Sequence, residues 1–338
     1  MAHEHFVIVG NGPAGNQAAR TLREEAPKAR ITVISRDRGS AYRPHLLPSL
    51  IAGRMEEPHL YQCPIESYKE AGIKLRCGQE VVGLDSGKRE LTLDHKEIIP
   101  FDGLVIAVGG TPRIPEPLWV FKDLMLTLKT LEDAQIWVEK LRRADSVLMI
   151  GGDLTSLSMT RTLLELGKKV HFLLNEDAFW PLRCDEALFS DVSQRLRDKG
   201  VEVFEHRKLE GMKIEKDNTI RVVVGDMEIR VGLVGAFFGL VPDIRFLARS
   251  DLATDRGVLV DETLGTGFDG IYATGDCAQI YHPEIRDYWV SIGHDNAVAL
   301  GRIAALNLLG GHFKTEVAPE SIFDARGIRV NTSWWMEF

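Results

Sequence analysis

A strand that runs into a glycine turn and then a helix is written twice in this chain. Phe6-Val-Ile-Val-Gly10-Asn-Gly12-Pro-Ala-Gly15 is an intact Gly-x-Gly-x-x-Gly, whereas Val147-Leu-Met-Ile-Gly151-Gly-Asp153-Leu-Thr-Ser156 keeps the layout and loses the second and third glycines. Such a turn joins a strand to a helix that crosses back over a parallel sheet. Two of them predict an α/β protein with two Rossmann-like dinucleotide-binding domains. The first turn has the features of a tight nucleotide site, and the second has its nucleotide contacts altered.

The first unit reads in full. Residues 5–10 form an apolar run, Ala14 to Glu25 carries apolar residues at helical spacing, Pro27 closes the helix, and Ile31-Thr-Val-Ile34 returns as a strand. Gly10 permits the tight turn, Gly12 admits a pyrophosphate close to the backbone, and Gly15 lets helix and strand approach. Pro13 and Ala14 open the helix, whose free amides face the phosphates. The carboxylate expected after the second strand is not evident in Ser35-Arg36-Asp37-Arg38. Asp37 serves there only if the backbone shifts by one position; otherwise it is a solvated turn residue.

A chain of 338 residues, 44% apolar and 27% charged, has material for two soluble domains. Its 41 basic and 49 acidic side chains leave a net charge of -8, and no Arg/Lys block stands out, so nucleic-acid binding is not expected. The N-terminus enters an apolar strand without a basic region and long apolar segment, so neither secretion nor membrane insertion is expected. Cys63, Cys77, Cys184 and Cys277 form no C-x-x-C pair and no metal-ligand spacing. Free thiols in a cytoplasmic chain, with no metal site, are the expectation.

Two later segments bear on which dinucleotide binds. Phe101-Asp-Gly-Leu-Val-Ile-Ala107-Val-Gly109-Gly110-Thr-Pro112 is a strand entering a glycine and proline turn, and Ile271-Tyr-Ala-Thr-Gly275-Asp276-Cys277-Ala278 is a strand ending at a Gly-Asp pair. With the first turn, these segments resemble the FAD-dependent pyridine-nucleotide-disulfide oxidoreductase family, particularly its rubredoxin-reductase, ferredoxin-reductase and nitrite-reductase-like branch. The resemblance implies FAD, its pyrophosphate on Gly10, Gly12 and Gly15. Ala107, Val108 and Gly109 stand at the family's Ala-Thr-Gly, with valine for threonine. Asp276, after Gly275, corresponds to the aspartate that binds the ribityl chain and phosphate region. Tyr42-Arg43-Pro44 with Leu46, and the helix from Leu300 to Gly310, extend the resemblance over about residues 5–310. Arg36 stands where that branch has a glutamate for the adenosine ribose; a guanidinium accepts no hydrogen bonds, so the adenosine end is expected to be held differently.

The implied order is an FAD-binding domain over 1–115 and 239–310, an inserted NAD(P)-binding-like domain over 116–238, and a short tail over 311–338. Within the insertion the pattern predicts a helical connection over 123–143, the strand Ser146-Val-Leu-Met-Ile150, a helix from Thr155 to Leu166, and the strand Val170-His-Phe-Leu-Leu174. A helix near 185–198 and strands near 201–204, 219–224 and 228–234 follow. By resemblance, NADH or NADPH binds at Gly151, Gly152, Asp153 and Leu154. Here Asp153 replaces the second glycine, Ser156 the third, Ser158 the usual glutamate and Leu174 the ribose-binding acid, with Glu176 near enough to substitute. A carboxylate at 153 points into the pyrophosphate region, where like charges a few Å apart oppose binding by several kcal/mol if poorly solvated. Three readings stay open: a nicotinamide nucleotide in a modified pose, a different ligand, or a structural remnant that presents the flavin to a protein.

Disulfide reductases of the family need cysteine beside the flavin, in the region that here reads Tyr42-Arg-Pro-His-Leu-Leu-Pro-Ser49. Neither dithiol nor single-cysteine catalysis is expected, and no side chain is assigned as catalytic. Cys63 and Cys77 read as structural thiols, and Cys277 lies near the Gly-Asp pair. Arg43 is placed to offset charge on reduced flavin, His45 to donate a hydrogen bond or simply pack, and His294 to pack near the ring. His282, in Tyr281-His-Pro-Glu284, fits a surface turn as well as any ligand.

The expected function is an FAD-dependent oxidoreductase that moves electrons between NAD(P)H and a rubredoxin-like or iron-sulfur protein. The alternative is an FAD-carrying subunit of a redox complex without its own use of NAD(P)H. The family's usual full third domain is not expected in residues 311–338. Trp334, Trp335, Met336 and Phe338 suit docking on the FAD domain, or a homodimer or hetero-complex contact.

Overall fold

The computed structural model describes residues 4–174, 186–283, 286–291 and 293–315, with the backbone alone of 187–188, 322–325 and 328–331. Glu176, Cys184 and the aromatic residues after 331 lie outside the described residues.

Two parallel sheets organise the chain. In the first, the order is Ile271–Ala273, Gly103–Ile106, His5–Val9, Arg30–Ser35 and Ile73–Cys77, all parallel. Every residue of His5–Val9 and Gly103–Ile106 is buried. That fits central strands of a sheet covered on both faces, and it explains why they read as apolar runs rather than alternating ones. In the second sheet the order is Glu202–Glu205, Lys169–Leu174, Ser146–Gly151 and Leu233–Phe237, again all parallel. In both sheets the strand order reverses beside the strand that ends in the glycine turn, the place where open α/β sheets leave a crevice for ligands.

Each half adds a small antiparallel sheet: Val81–Asp85, Glu90–Leu93 and Ile98–Pro100 in one, and Leu209–Ile214, Ile220–Val224 and Met227–Val231 in the other. The single strand expected over 228–234 is therefore two strands, Met227–Val231 and Leu233–Phe237, in different sheets. Gly232 makes the change of sheet, because a Cβ there would lie 2.7 Å from Ala144 Cβ. The helical connection expected over 123–143 is likewise a 3-10 turn, Glu116–Leu124, and a helix, Leu131–Leu141. A capping box fixes the helix start: Thr130 Oγ1 accepts from Asp133 N, and Asp133 accepts from Thr130 N.

The chain passes from one sheet to the other along Gly110–Pro112 and returns along Leu240–Pro242, which pair antiparallel. The halves also share a core. Leu47, Ile51 and Leu60, which precede the insertion, lie in one buried cluster with Trp137, Leu157 and Leu163. Thr162 Oγ1 donates to Pro48 O at 3.0 Å across the same seam, and Arg54 pairs with Glu165. At about 1.5–3 kcal/mol for each large aliphatic side chain, this packing contributes several kcal/mol to holding the halves together. No helix among the described residues is long and apolar enough to cross a membrane.

Candidate functional site

Two of the three glycines in the first turn are required by packing, and the third is not. Gly10 has φ +108°, and a Cβ there would lie 2.2 Å from Ala107 O; a Cβ on Gly15 would lie 2.0 Å from Gly10 O. Gly12 is different: its φ of -76° and ψ of -172° suit any residue, and a Cβ there would meet nothing within 4 Å. It caps the helix Pro13–Glu25 without a side-chain acceptor, so open space lies against uncapped helical amides. Behind the turn, Tyr68 Oη donates to Asn11 Oδ1 at 2.8 Å and accepts from Asn16 Nδ2 at 2.5 Å, which holds the cradle from its buried side.

The later motifs converge on this cradle. Gly275, at φ +71°, leaves only 3.0 Å between a would-be Cβ and Ala14 Cβ, and the helix His294–Leu308 crosses so closely that a Cβ on Gly301 would lie 2.2 Å from Ala14 O. Gly10, Ala14, Gly15, Ala107, Val108 and Gly275 are thus neighbours. Asp276 adds a carboxylate that accepts no hydrogen bond among the described residues; its one ion pair is with Lys129 Nζ at 3.9 Å. Its side chain is 24% exposed, yet the desolvation around it raises the carboxyl pKa, with Lys129 pulling the other way. A carboxylate with no hydrogen-bond donor among the described residues, beside a cradle of free amides, matches a ligand that brings hydroxyl groups and phosphates together.

At the end of the second strand, Asp37 is exposed, and its carboxylate makes no hydrogen bond or ion pair among the described residues. Arg36 Nη1 pairs instead with Asp243 Oδ2 at 2.5 Å and Glu80 Oε1 at 3.6 Å. Asp243 also holds Arg245 Nε at 2.9 Å, and the two arginines, Arg245 first, keep its pKa low despite partial burial. Sequence reasoning missed Asp243 because the insertion separates it from its partner in sequence and no local spacing links them.

His294 begins its helix and touches His45, ring centroids 4.4 Å apart. Burial and then the second imidazole lower the His45 pKa, with Asp295 opposing them. His294 Nδ1 is buried without a partner, and its pKa is lowered chiefly by burial. Arg43 directs Nη1 to the carbonyls of Tyr61, at 3.2 Å, and His59, at 3.4 Å. His282 is not on a surface turn: it is buried on the strand Ala278–His282 with its ring edge-on to Trp289, because the adjacent strand Asp287–Val290 covers it.

Three cysteines are described. Cys277 is buried, and desolvation pushes its thiol up to about 11. Cys77 is raised by burial. At Cys63 burial also raises the pKa, but hydrogen bonds from Ser67, Ser40 and Arg20 outweigh it and leave the thiol below its usual range. Among the described residues no group of three or more His, Cys, Asp or Glu side chains has the arrangement to hold a metal ion.

The second turn repeats the first up to one substitution. Gly151 has φ +108°, like Gly10, and a Cβ there would lie 1.9 Å from Phe237 O. Asp153 has φ -73° and ψ 173°, close to the dihedrals of Gly12, so the aspartate enters without backbone strain. The carboxylate does not project outward from the turn as expected. It folds back as the cap of the helix Leu154–Glu165, Oδ1 accepting from Ser156 N at 2.9 Å and Oδ2 from Gly239 N at 3.1 Å. Ser156 is fully buried and donates from Oγ to Asp153 O at 2.5 Å, so the third glycine position tolerates a side chain here. Leu174 is fully buried and offers no acceptor.

Burial raises the pKa of Asp153, and the N–H groups of Ser156, Gly239 and Thr155 oppose that rise. An acid whose folded pKa is raised destabilises the fold above that pKa and is relieved as pH falls through it. Asp153→Asn keeps one acceptor and removes the charge. The stability difference between wild type and Asp153→Asn is expected to shift toward wild type when urea unfolding is compared at pH 7 and pH 5. Parallel shifts in both proteins would show that the carboxyl is not perturbed.

The profile of the pyridine nucleotide-disulphide oxidoreductase family matches residues 4–295, which takes in both glycine turns and the Gly275-Asp276 pair. The chain belongs to that family. Putidaredoxin reductase CamA of Pseudomonas putida is 28% identical over 333 residues, covering 94% of this chain and 77% of the relative. Rubredoxin-NAD(+) reductase of Ectopseudomonas oleovorans is 25% identical over 331 residues, covering 96% and 85%. The crystal structure of a covalent putidaredoxin reductase–putidaredoxin complex superposes with a TM-score of 0.86 at 24% identity, covering 94% of this chain and 78% of that one, which shows the shared fold. This member of the family thus keeps the two-sheet architecture while altering its second glycine turn.

Proposed function

We propose that the chain is an FAD-dependent oxidoreductase that passes electrons between a nicotinamide dinucleotide and a small iron-sulfur or rubredoxin-type protein. The observation that carries this reading is the cradle at Gly12, open and lined by free amides, beside the Gly275-Asp276 turn, whose carboxylate takes no hydrogen bond among the described residues. Gly10, Gly12, Pro13, Ala14 and Gly15 would hold the pyrophosphate, with Ala107, Val108 and Gly109 beside them. Gly275 and Asp276 would hold the sugar-alcohol chain, and His294 and Arg43 would border the ring. Bound flavin supplies exchange of two electrons with a hydride donor and of one with a metalloprotein. The chain's own task is to orient it, shield it and match its charge. No cysteine is assigned a redox role. The resemblance to proteins named as reductases of putidaredoxin and rubredoxin supports a protein acceptor.

A second reading rests on Asp153. Its carboxylate occupies amides that a dinucleotide phosphate would need, which favours a flavin-carrying subunit reduced by a partner protein. Two measurements separate the readings. Protein as purified is expected to show flavin absorption, and anaerobic NADH or NADPH is expected to bleach it. Flavin that stays oxidised with both nucleotides supports the subunit, and colourless folded protein that refuses FAD removes both readings.

A further inference from the structure

Away from both glycine turns, a cavity of about 100 Å3 opens against the three-stranded sheet of Val258–Val260, Ala278–His282 and Asp287–Val290. Its walls include Glu262, Tyr281, His282, Trp289, Lys314 and Thr315. The last two hold the chain to the rim: Lys314 pairs with Glu262, and Thr315 N donates to Glu262 O at 2.8 Å. Residues 316–338 therefore set out from the cavity itself.

Its walls call for a particular kind of side chain. His282 is only 9% exposed, yet its Nδ1 makes no hydrogen bond among the described residues. In the tautomer with hydrogen on Nε2, Nδ1 is an acceptor, and a buried acceptor without a donor destabilises the fold. The surroundings are aromatic. Trp289 stands edge-on to the His282 ring, and Tyr281 and Tyr288 meet edge-on with centroids 5.6 Å apart. Tyr281, Tyr288 and Phe313 are 36%, 39% and 53% exposed, so apolar surface remains to be covered there. Tryptophan, with a flat apolar body and one N–H donor, meets both needs.

The chain carries such residues within reach. Ile322–Ala325 and Ile328–Asn331 pair antiparallel with Ile322 opposite Asn331, so the backbone that leaves at Thr315 is turned back. At about 3.5 Å per residue, the span from Thr315 to Ile322 covers at most about 25 Å and that from Asn331 to Trp334 about 10 Å.

We propose that the aromatic segment Trp334-Trp335-Met336-Glu-Phe338, which lies outside the described residues, docks on the first half of its own chain at this cavity, one indole N–H donating to His282 Nδ1. The strand it braces, Ala278–His282, begins directly after the turn Gly275–Cys277, so the docked segment also steadies the mount of Asp276. This docking requires no particular cofactor or electron acceptor.

Hydrogen–deuterium exchange of the full chain tests it. In the double variant Trp334→Ala/Trp335→Ala the amides of Ile280, Tyr281 and His282 are expected to exchange at least tenfold faster than in wild type, while those of Lys169–Leu174 in the second sheet do not change. The protection in wild type is expected to survive tenfold dilution. If the double variant loses its circular dichroism, the single variants take its place, and the one that lacks the docked indole shows the faster exchange. Trp334→Phe/Trp335→Phe is expected to recover only part of the protection, because phenylalanine has no N–H; full recovery overturns the bond to His282. Equal exchange in wild type and the alanine variants overturns the docking, and so does acceleration spread evenly over both sheets. Protection that fades on dilution assigns the segment to a second copy and overturns docking within one chain.

Discussion

Gly12→Asp is expected to yield a folded protein that has lost its flavin, while Gly15→Val loses the fold. The two positions are three residues apart and belong to the same motif, yet their surroundings differ. At Gly12 a Cβ meets nothing within 4 Å, and the backbone dihedrals already match those of Asp153, where an aspartate sits without strain. The new carboxylate is expected to fold back on the helix amides and contribute a few tenths of a kcal/mol as a cap. It would then stand where the pyrophosphate belongs. At an effective dielectric near 20, two unit charges about 4 Å apart repel by about 4 kcal/mol, so at least a hundredfold loss of FAD affinity is expected. At Gly15 a Cβ would lie 2.0 Å from Gly10 O, a backbone atom that cannot swing away, so valine there is expected to destabilise by about 3 kcal/mol or more. Thermal unfolding and flavin absorbance on the same samples check both. Retention of flavin by Gly12→Asp would move the phosphate seat elsewhere.

The reciprocal change, Asp153→Gly, is expected to strengthen binding of NADH or NADPH at least tenfold. It removes the carboxylate from Ser156 N and Gly239 N and frees those donors for a ligand. The loss of a helix cap and of one further hydrogen bond is expected to lower stability by about 1–2 kcal/mol. Gly239 lies at φ +77° just before the return strand Leu240–Pro242, so Asp153 also ties the second turn to the crossing between the halves. If the open turn accepts the nucleotide, flavin bleaching becomes faster in the variant at subsaturating NADH or NADPH. Unchanged affinity for both nucleotides would mean that Ser156, Leu174 or some other difference is the obstacle.

Much of this was readable from local spacing. Gly10, Gly12 and Gly15, the strand before them and the helix after them fall within one short stretch, and the same layout around Gly151 announced the second sheet. The strand that leads to Gly275 and Asp276 was legible from its apolar run, whereas a role for the pair came only from the resemblance. The single strand expected over 228–234 failed because local spacing does not reveal that the chain leaves one sheet for another at Gly232. The surface turn expected at His282 failed because the strand that covers it is set by pairing with Asp287–Val290. Lys129 and Asp243 were invisible for a related reason: Lys129 reaches Asp276 from the other half, and Asp243 meets Arg36 only after the whole insertion has intervened, and charge pairs formed at that range leave no periodic trace.

By itself the sequence determined the α/β class, the two glycine turns and the strands they terminate, since these follow from backbone sterics and apolar runs that act over a few residues. Tertiary structure decided the surroundings of each turn. It left Gly12 open while it closed around Gly10 and Gly15, folded the Asp153 carboxylate onto its own helix, and brought Lys129 from one half to Asp276 in the other. Those outcomes depend on distances between segments remote in sequence, where packing volume and charge are settled only once both sheets are in place.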